Sequence, residues 1–313
     1  MDVITFGESM VQFNPAKTGP LRYVHQFDKT VGGAESNVAI ALARLGHQVK
    51  WVSRLGDDDF GLYIRNFIRG EGVDTSSVTF DPVYPTGIFF KERYNASDPK
   101  VYYYRSGSAA SQLEQAQLKE SDIIAARFLH ITGITPALSP TCRELIYYAI
   151  EVAKKNNVMV VFDPNIRLKL WSENEAREVL MDIASKCDIV LPGIEEGRLL
   201  TNEITPEKIA ERFIQNGAGT VVVKLGAQGA FCHSQDIKEY IEGFKIEHVV
   251  DTVGAGDGFA AGFISGLLRG WSYRDAVVLG NRVGASAVTV TGDVEGYPYW
   301  SKIAPDHSEE ILR

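Results

Sequence analysis

Residues 251–263 read DTVGAGDGFAAGF, and this stretch decides the fold because it lies between two patterns of different period. The preceding FKIEHVV (residues 244–250) has apolar residues in near-alternation, which predicts a strand that ends at Val250. The following apolar residues recur at helical spacing and predict one helix face: Phe259, Ala260, Phe263, Ile264, Leu267 and Leu268. We therefore expect residues 254–257 to form a strand-to-helix turn.

This turn has the composition of an anion-binding site. The first backbone N–H groups of a helix have no intrahelical partner, and the helix dipole is positive there. Gly254 and Gly256 let the backbone approach an oxyanion without a Cβ in the way. The carboxylate of Asp257 would repel that anion unless it accepts a proton from a hydroxyl that attacks a bound phosphoryl group. The turn therefore predicts phosphoryl transfer, with Asp257 as the general base.

A purely structural interpretation of the same residues stays open at this point. Asp257 is also a suitable capping residue, and Gly258, Gly262 and Gly266 lie four residues apart, as in a closely packed helix. Residues elsewhere in the chain must decide between the two interpretations.

The composition limits the classes of partner. Of the 313 residues, 45% are hydrophobic and 23% are charged, as in ordinary globular enzymes. A net charge of −8 argues against nucleic acid and anionic membranes, and no apolar run approaches the roughly 20 residues of a membrane span. Cys142, Cys187 and Cys232 form no CxxC pair and predict reduced thiols, without a zinc site or a disulfide. With no signal peptide visible, we expect a cytoplasmic protein.

Strand and helix patterns alternate over most of the chain. After a first strand at residues 3–6 and a second at 51–56, short β-rich runs lie at 128–132, 158–162, 188–192 and 220–226. Helical patterns separate these runs at about 140–156, 173–186 and 205–217. The order predicts a single α/β domain over residues 1–313, with a doubly wound, mostly parallel sheet flanked by helices. Ligands bind such sheets at the carboxyl ends of the strands.

Two segments, about 10–32 and 78–108, break this alternation and predict a small projecting β-sheet. The first segment includes LRYVHQF at 21–27, which is strand-like. The second holds aromatic residues in strand-like alternation: Phe80, Tyr84, Phe89, Phe90, Tyr94, Tyr102, Tyr103 and Tyr104. A sheet over a cleft would be a lid, with its aromatics lining a pocket or buried against a second subunit. An ordinary hairpin packed on the core is the alternative.

Charged residues follow two of the predicted strands where ligands are expected. DPNIR supplies Asp163, Asn165 and Arg167, and the guanidinium of Arg167 suits a phosphate or a carboxylate. PGIEE supplies Glu195 and Glu196, either of which could hold Mg²⁺ through water or simply favour a helix N-terminus.

Glycines near other strand ends leave room for ligands. Gly226 and Gly229 free the backbone around Lys224 for a nucleotide, although a simple hairpin turn explains them equally well. Gly33 precedes a helix that carries Asn37, so this region could meet a ligand hydroxyl. A plain loop-to-helix connection is the alternative there.

Several other classes of site are absent from the sequence. No Gly-Lys pair occurs, which excludes a Walker-type phosphate loop, and no GxGxxG follows the first strand, which weakens a dehydrogenase. The six histidines lack a metal-binding spacing. A non-catalytic ligand sensor is the alternative of a different class, but a sensor does not need a base in its anion hole.

GGAESNVAIALARLG (32–46) and DTVGAGDGFAAGF resemble the two signatures of the ribokinase-like (PfkB) carbohydrate kinases, and the resemblance covers nearly the whole chain. It implies that Asp257 is the catalytic base and that the amides of Gly254, Ala255 and Gly256 form the anion hole. It also implies that Asp251 supports the nucleotide and metal region. Further residues implied to border the nucleotide are Lys224, Gly226, Gly229 and, near the adenine, Asn281. The small sheet would be the lid of this family, which often forms dimers.

The resemblance departs from the family at the metal site. The family commonly has Asn-x-x-Glu there, and this chain has Gly193-Ile-Glu-Glu196. Glu196 fits as the metal residue, whereas Gly193 supplies no side-chain amide.

Three further stretches, FGESMVQFNP, YYYRSGSAAS and DPNIR, resemble 2-keto-3-deoxygluconate kinases more than fructokinases or ribokinases. Such a sugar acid needs cationic and hydroxyl donors for its carboxylate, which Tyr103, Arg105 and Arg167 would provide. Gly33 and Asn37 would hold hydroxyls at the other end of the substrate.

The resemblance implies a kinase that uses ATP and Mg²⁺ to phosphorylate the terminal hydroxyl of 2-keto-3-deoxygluconate. Arg167 would both orient this substrate and stabilise charge in the transition state. A fructokinase or another kinase of a neutral sugar is the alternative. A monovalent cation is a further candidate cofactor, and we expect a homo-oligomer formed through the lid, with neither nucleic acid nor membrane as partner.

Overall fold

The computed structural model describes residues 1–92 and 100–304. Its strands are β1 (Val3–Phe6), β2 (Met10–Pro15), β3 (Phe27–Gly32), β4 (Val49–Val52), β5 (Arg54–Gly56), β6 (Thr79–Asp81), β7 (Ile88–Glu92), β8 (Lys100–Tyr104), β9 (Phe128–Thr132), β10 (Met159–Asp163), β11 (Ile189–Val190), β12 (Thr220–Lys224), β13 (Gly229–His233) and β14 (Lys238–Glu242). Its α-helices are α1 (Ala34–Arg44), α2 (Asp59–Gly70), α3 (Glu120–Ile124), α4 (Thr135–Leu138), α5 (Pro140–Lys155), α6 (Glu173–Ala184), α7 (Ile194–Thr201), α8 (Pro206–Asn216), α9 (Ala255–Leu268), α10 (Tyr273–Ala287) and α11 (Trp300–Ile303). Short 3₁₀ turns lie at Leu21–Tyr23, Ala109–Gln112, Gln115–Gln117 and Gly226–Gln228.

One eight-stranded sheet carries the fold, in the order β14-β13-β12-β11-β10-β9-β1-β4. All its pairings are parallel except those of β12 with β13 and of β13 with β14. One apolar core lies against α1, α9 and α10, and a second lies against α5, α6 and α8. Helices therefore cover both faces, which buries all five residues of β9. The predicted fold class is confirmed.

A separate four-stranded sheet has the order β3-β2-β7-β8 and is called the small sheet below. Both predicted segments contribute to it, and Tyr94 lies outside the described residues. Two details of the prediction are wrong. Because Pro15 pairs with Phe27, the residues between them must turn back. LRYVHQF therefore begins with a 3₁₀ turn, and only its last residue, Phe27, belongs to a strand. Phe80 lies in β6, which pairs with β5 in a sheet of two strands.

The predicted strand at 244–250 is also wrong. β14 is the edge of the large sheet, and its last pair joins Glu242 to Gly229. Beyond it the chain has no strand to pair with, and Val249 and Val250 are exposed. The backbone is held instead by the Val250 N–H, which donates to the Val288 carbonyl at 2.8 Å. An irregular segment therefore leads into the GAGD turn and leaves space beside it.

The glycine repeat of α9 serves helix packing, as the structural interpretation proposed. A Cβ on Gly262 would lie 2.7 Å from the carbonyl oxygen of Leu279, and one on Gly266 would lie 2.6 Å from the Cα of Ala276. Both neighbours belong to α10, so the two helices touch through their backbones. This contact fixes α9, and with it the GAGD turn at its start.

Gly262→Ala is expected to destabilise the fold by about 1–3 kcal/mol, because the added methyl group meets a backbone oxygen that cannot rotate away. The free energy of unfolding in urea measures the effect. Gly70→Ala is the matched control, since it lies at the last residue of a helix with no atom within 4 Å of its Cβ position. An equal loss in both variants would show that helix contact is not the cause.

The part of the chain that the structure describes contains no helix that is both long and apolar enough to cross a membrane.

Candidate active site

Two cavities of similar size meet at the carboxyl ends of the large-sheet strands. The first, of about 380 Å³, is lined mainly by glycine and apolar residues between Lys224 and Val288, and is called the apolar cavity. The second, of about 360 Å³, lies between the large sheet and the small sheet and is called the polar cavity because charged side chains line it. Lys224, Thr252 and Gly256 line both. A ligand in one cavity therefore lies next to a ligand in the other.

Asp257 lies in the first turn of α9 and faces the polar cavity. Asn37 Nδ2 donates to its Oδ2 at 2.8 Å, and Asn165 Nδ2 donates to its Oδ1 at 3.4 Å. Burial raises the pKa of Asp257 to about 7, with Asp163 adding to the rise while Asn37, Arg167 and Lys224 oppose it. The carboxylate is thus held in one orientation and poised to exchange a proton near neutral pH.

The turn before Asp257 has the geometry expected of an anion hole. Gly254 has φ +81°, and a Cβ there would lie 2.1 Å from the Asp293 carbonyl oxygen, so only glycine fits. The hydroxyl of Tyr297 donates to the Gly254 carbonyl at 2.7 Å and fixes the loop. No side chain caps α9, and Asp257 bonds to the two asparagines instead. The capping interpretation of Asp257 is therefore wrong. The Ala255 N–H makes only a long contact of 3.4 Å with the Thr252 carbonyl, and the N–H groups of Gly254 and Gly256 have no partner among the described residues, so these amides can turn to an anion.

Lys224 places a positive charge where the two cavities meet. Its Nζ donates to Asp163 Oδ2 at 2.6 Å. Burial works against protonation of this amine, but Asp163 and Glu196 outweigh it and raise the pKa of Lys224 above its ordinary value. Its Nζ would lie 3.6 Å from a Cβ on Gly256, so the charge adjoins the anion hole.

The residues predicted to bind a carboxylate lie together in the polar cavity, but the two arginines differ in burial and in hydrogen-bond partners. Arg167 is exposed, and its Nη1 donates only to its neighbour's carbonyl, that of Ile166, at 3.2 Å among the described residues. Arg105 is buried and already bonded to Glu8, with 2.7 Å from its Nε to Oε2 and a second contact from Nη2. Its guanidinium lies 5.5 Å from the ring centre of Tyr103. The Glu8 partner was missed from sequence, although it stands in the FGES stretch.

Gly33 and Asn37 line the same cavity as this cationic group. A Cβ on Gly33 would lie 2.5 Å from the Glu8 carbonyl oxygen, so close packing requires glycine there. Asn37 uses its amide nitrogen on Asp257, and its carbonyl Oδ1 is buried without a partner among the described residues. An unpaired buried acceptor next to the Asp257 carboxylate is suited to a hydroxyl donor.

Both carboxylate oxygens of Glu196 accept hydrogen bonds from the protein backbone. Its Oε2 accepts from the Gly193 N–H at 2.7 Å, and its Oε1 accepts from the Ile166 N–H at 2.9 Å. No group of three potential metal-binding side chains occurs within residues 1–92 and 100–304. Glu196 lines the polar cavity, and each of its carboxylate oxygens keeps a lone pair that could accept from water on a phosphate-bound Mg²⁺.

The residues predicted to border the nucleotide fall into two groups. Gly226, Gly229 and Asn281 line the apolar cavity, where the amide of Asn281 donates to the Glu242 carbonyl at 3.0 Å and closes the wall. Asp251 is buried away from both cavities. Its Oδ1 accepts from the Val253 N–H at 3.1 Å, so it shapes the loop before the anion hole.

The parts present define a class of protein. Three features together fit a phosphotransferase that acts on a small hydroxyl compound: a largely apolar cavity that suits a nucleobase, a turn with available amides at the junction, and a carboxylate that faces a polar cavity. The pfkB family carbohydrate kinase profile matches residues 1–299, and the chain belongs to this family.

Relatives in the family cover almost the whole chain. The 2-dehydro-3-deoxygluconokinase of Bacillus subtilis (strain 168) is 43% identical over 97% of this chain and 94% of its own length. The enzyme of the same name from Thermoproteus tenax is 35% identical over 100% of this chain and 94% of its own. The crystal structure of a Vibrio cholerae O395 fructokinase with fructose, ADP and calcium is 27% identical and matches with a TM-score of 0.84, covering 95% of this chain and 96% of the other.

Proposed function

We propose that this chain is a 2-keto-3-deoxygluconate kinase, which transfers the γ-phosphoryl group of ATP to the terminal hydroxyl of the sugar acid. The observation that carries the proposal is the gathering of Tyr103, Arg105 and Arg167 in the same cavity as Asp257. Two relatives at 43% and 35% identity bear the corresponding enzyme name. A carboxylate is the group that the guanidinium of Arg167 recognises, while Arg105, paired with Glu8, shapes the same end of the cavity.

In this proposal the substrate lies across the polar cavity, with its carboxylate at Arg167 and its terminal hydroxyl at Asp257. As the hydroxyl oxygen bonds to the γ-phosphorus, the bond to the ADP oxygen breaks and the hydroxyl proton passes to Asp257. The amides of residues 254–256 and the ammonium of Lys224 stabilise the charge on the phosphoryl oxygens. Asn37 and Asn165 keep the carboxylate aimed at the hydroxyl.

The apolar cavity is the proposed site of the adenine and ribose of ATP. Gly226, Gly229 and Asn281 form part of its wall, and its inner end reaches the anion hole at Gly256. Mg²⁺, when bound, supplies positive charge to the phosphates, and Glu196 is the residue proposed to meet its water shell. The fructokinase structure contains ADP and calcium, which supports a nucleotide and a metal as ligands of this chain.

Three further proposals concern the setting of the enzyme. We propose one domain over residues 1–313 that works in the cytoplasm. We also propose a homodimer that joins two small sheets, because Tyr104 at the end of β8 is 65% exposed and its ring contacts Phe90 edge-on. Sedimentation of the wild type and of Tyr104→Glu tests the dimer, and a monomeric wild type would contradict it.

The assay that tests the proposed function measures ADP release with MgATP and each of four acceptors. These are 2-keto-3-deoxygluconate, its galactonate-derived epimer, fructose and ribose. We expect turnover with the sugar acids and little with the neutral sugars. Fructose turned over as well as the acids would contradict the substrate assignment, and no turnover with any acceptor would contradict the kinase.

The pH dependence of the reaction is expected to report Asp257. Since a general base must be ionised, kcat/KM should fall below about pH 7, by about tenfold per unit in the acid limb. Asn37→Ala removes a bond that favours the ionised form, so its acid limb should move to higher pH. Protonation of ATP also depends on pH, but it is the same in assays of both proteins and so cannot move the acid limb of one relative to the other. An acid limb that the substitution leaves unmoved would contradict the assignment.

A further inference from the structure

A buried lysine lies beside the anion hole without a role in the proposed reaction. Lys91 is in β7 of the small sheet, and only 2% of its surface is exposed. Its Nζ lies 3.3 Å from Asp293 Oδ1 and 3.9 Å from Asp251 Oδ2. Burying an ammonium group is costly unless carboxylates and hydrogen bonds surround it. The burial of this group therefore indicates a structural or catalytic role.

Both carboxylates that face Lys91 belong to residues that shape the anion hole. Asp251 holds the Val253 N–H, one residue before Gly254. The Asp293 carbonyl is the atom against which Gly254 packs, so close that a Cβ there would be 2.1 Å away. The loop that carries the anion-binding amides is thus held between Asp251 and Asp293, and Lys91 bridges these two residues.

A second strand of the small sheet joins the same cluster. With its amide oriented to suit its neighbours, Gln12 of β2 accepts from Lys91 Nζ at 2.9 Å and donates to Asp293 Oδ1 at 3.1 Å. A Cβ on Gly32 of β3 would lie 2.9 Å from Asp293 Oδ2. Three strands of the small sheet therefore meet at Asp293, and Lys91 connects this cluster to Asp251 of the anion-hole loop.

The charges of this cluster matter to an incoming phosphate. Without Lys91, the buried carboxylate of Asp293 would lose the ammonium group that lies 3.3 Å from its Oδ1, and Asp251 would lose the one that lies 3.9 Å from its Oδ2. A buried carboxylate that loses a charged partner tends to take up a proton or to move towards water. Movement of either residue would displace Gly254 or Val253, and a shift of about 1 Å at a reacting centre can cost about a hundredfold in rate.

We propose that Lys91 is a positioning residue for phosphoryl transfer, acting as an internal cation that holds Asp251 and Asp293 together and fastens the small sheet to the anion hole. Because the chain supplies this charge itself, no free monovalent cation is needed there. The proposal rests on the proposed kinase function. It concerns rate and cation dependence, whereas the substrate is tested by the four-acceptor assay.

The test compares Lys91→Ala, Lys91→Met and the wild type in buffers whose only monovalent cation is potassium, sodium, ammonium or tetramethylammonium. The wild type should turn over equally in all of them. Lys91→Ala should lose about tenfold or more in kcat in tetramethylammonium, with KM for the sugar acid nearly unchanged. Ammonium or potassium should restore much of this kcat, because each fits the space left by the side chain.

Lys91→Met fills that space without a charge, so added cations should not restore its rate. Lys29→Ala removes an exposed lysine from β3 of the same sheet and should behave as the wild type. Full kcat in folded Lys91→Ala, a loss that no cation restores, or a wild type that needs potassium would each overturn the proposal. The wild-type comparison does not depend on the folding of any variant. An inactive wild type would instead count against the kinase function.

Discussion

Asp257→Asn is expected to lower kcat by at least about a hundredfold while ATP binding stays nearly unchanged. The asparagine keeps the shape of the side chain and can still bond to Asn37, but it cannot accept the proton of the attacking hydroxyl. ATP is proposed to contact the loop amides and the apolar cavity, which the substitution does not touch. Stopped-time ADP assays and calorimetric titration with MgATP measure the two quantities.

Asp236→Asn is the matched control, because Asp236 is exposed in the β13–β14 turn and belongs to neither cavity. It should keep wild-type turnover. If Asp257→Asn also kept it, Asp257 would not be the base. Loss of turnover together with loss of ATP binding would point to a collapsed loop, and Asp257→Glu would then show whether a displaced carboxylate retains part of the rate.

Arg167→Ala is expected to lower kcat/KM for the sugar acid by about ten- to a hundredfold and to leave any residual activity with fructose unchanged. A hydrogen-bonded contact between a guanidinium and a carboxylate contributes about 1.5–3 kcal/mol, and every 1.4 kcal/mol is about tenfold. Because Arg167 is exposed and bonds only to the Ile166 carbonyl among the described residues, its removal should not disturb the fold.

The control for this experiment is Arg212→Ala, an exposed arginine in α8 outside both cavities. Equal losses with acid and neutral acceptors would show that Arg167 acts on the phosphoryl group and not on the substrate carboxylate. Arg105→Ala, which the sequence suggests as the discriminating variant, is a weaker test. It would leave Glu8 buried without its partner, at a cost of about 3–5 kcal/mol, and would mix stability with specificity.

The fold and the centre of the site were predictable because their patterns are local. Hydrophobic runs of strand and helix length predicted the large sheet and its helices. The GAGD stretch predicted where α9 begins and that Asp257 lies in its first turn. The contacts of Asp257 were harder to predict from the sequence, because Asn37 lies 220 residues away from it along the chain. Family resemblance placed that residue in the site, whereas periodicity did not.

The errors and omissions share a physical cause, which is pairing between distant segments. FKIEHVV alternates like a strand, but the edge position of β14 leaves it no partner. Arg105 looked like a free cation until folding brought Glu8 to it. The sequence around Lys91 does not indicate its two carboxylate neighbours, because they lie 160 or more residues further along the chain. Only the tertiary structure assigns such partners.

The division of the walls between the two cavities has an evolutionary consequence. Every residue that lines the apolar cavity lies between 224 and 288, whereas the residues proposed to recognise the acceptor precede residue 168. Mutations among the first 167 residues can therefore retune which sugar is accepted without altering the residues that line the apolar cavity. A lineage with this architecture can diversify its acceptors while it inherits one donor. Hybrids that exchange residues 1–167 between relatives should carry sugar preference with the exchanged segment.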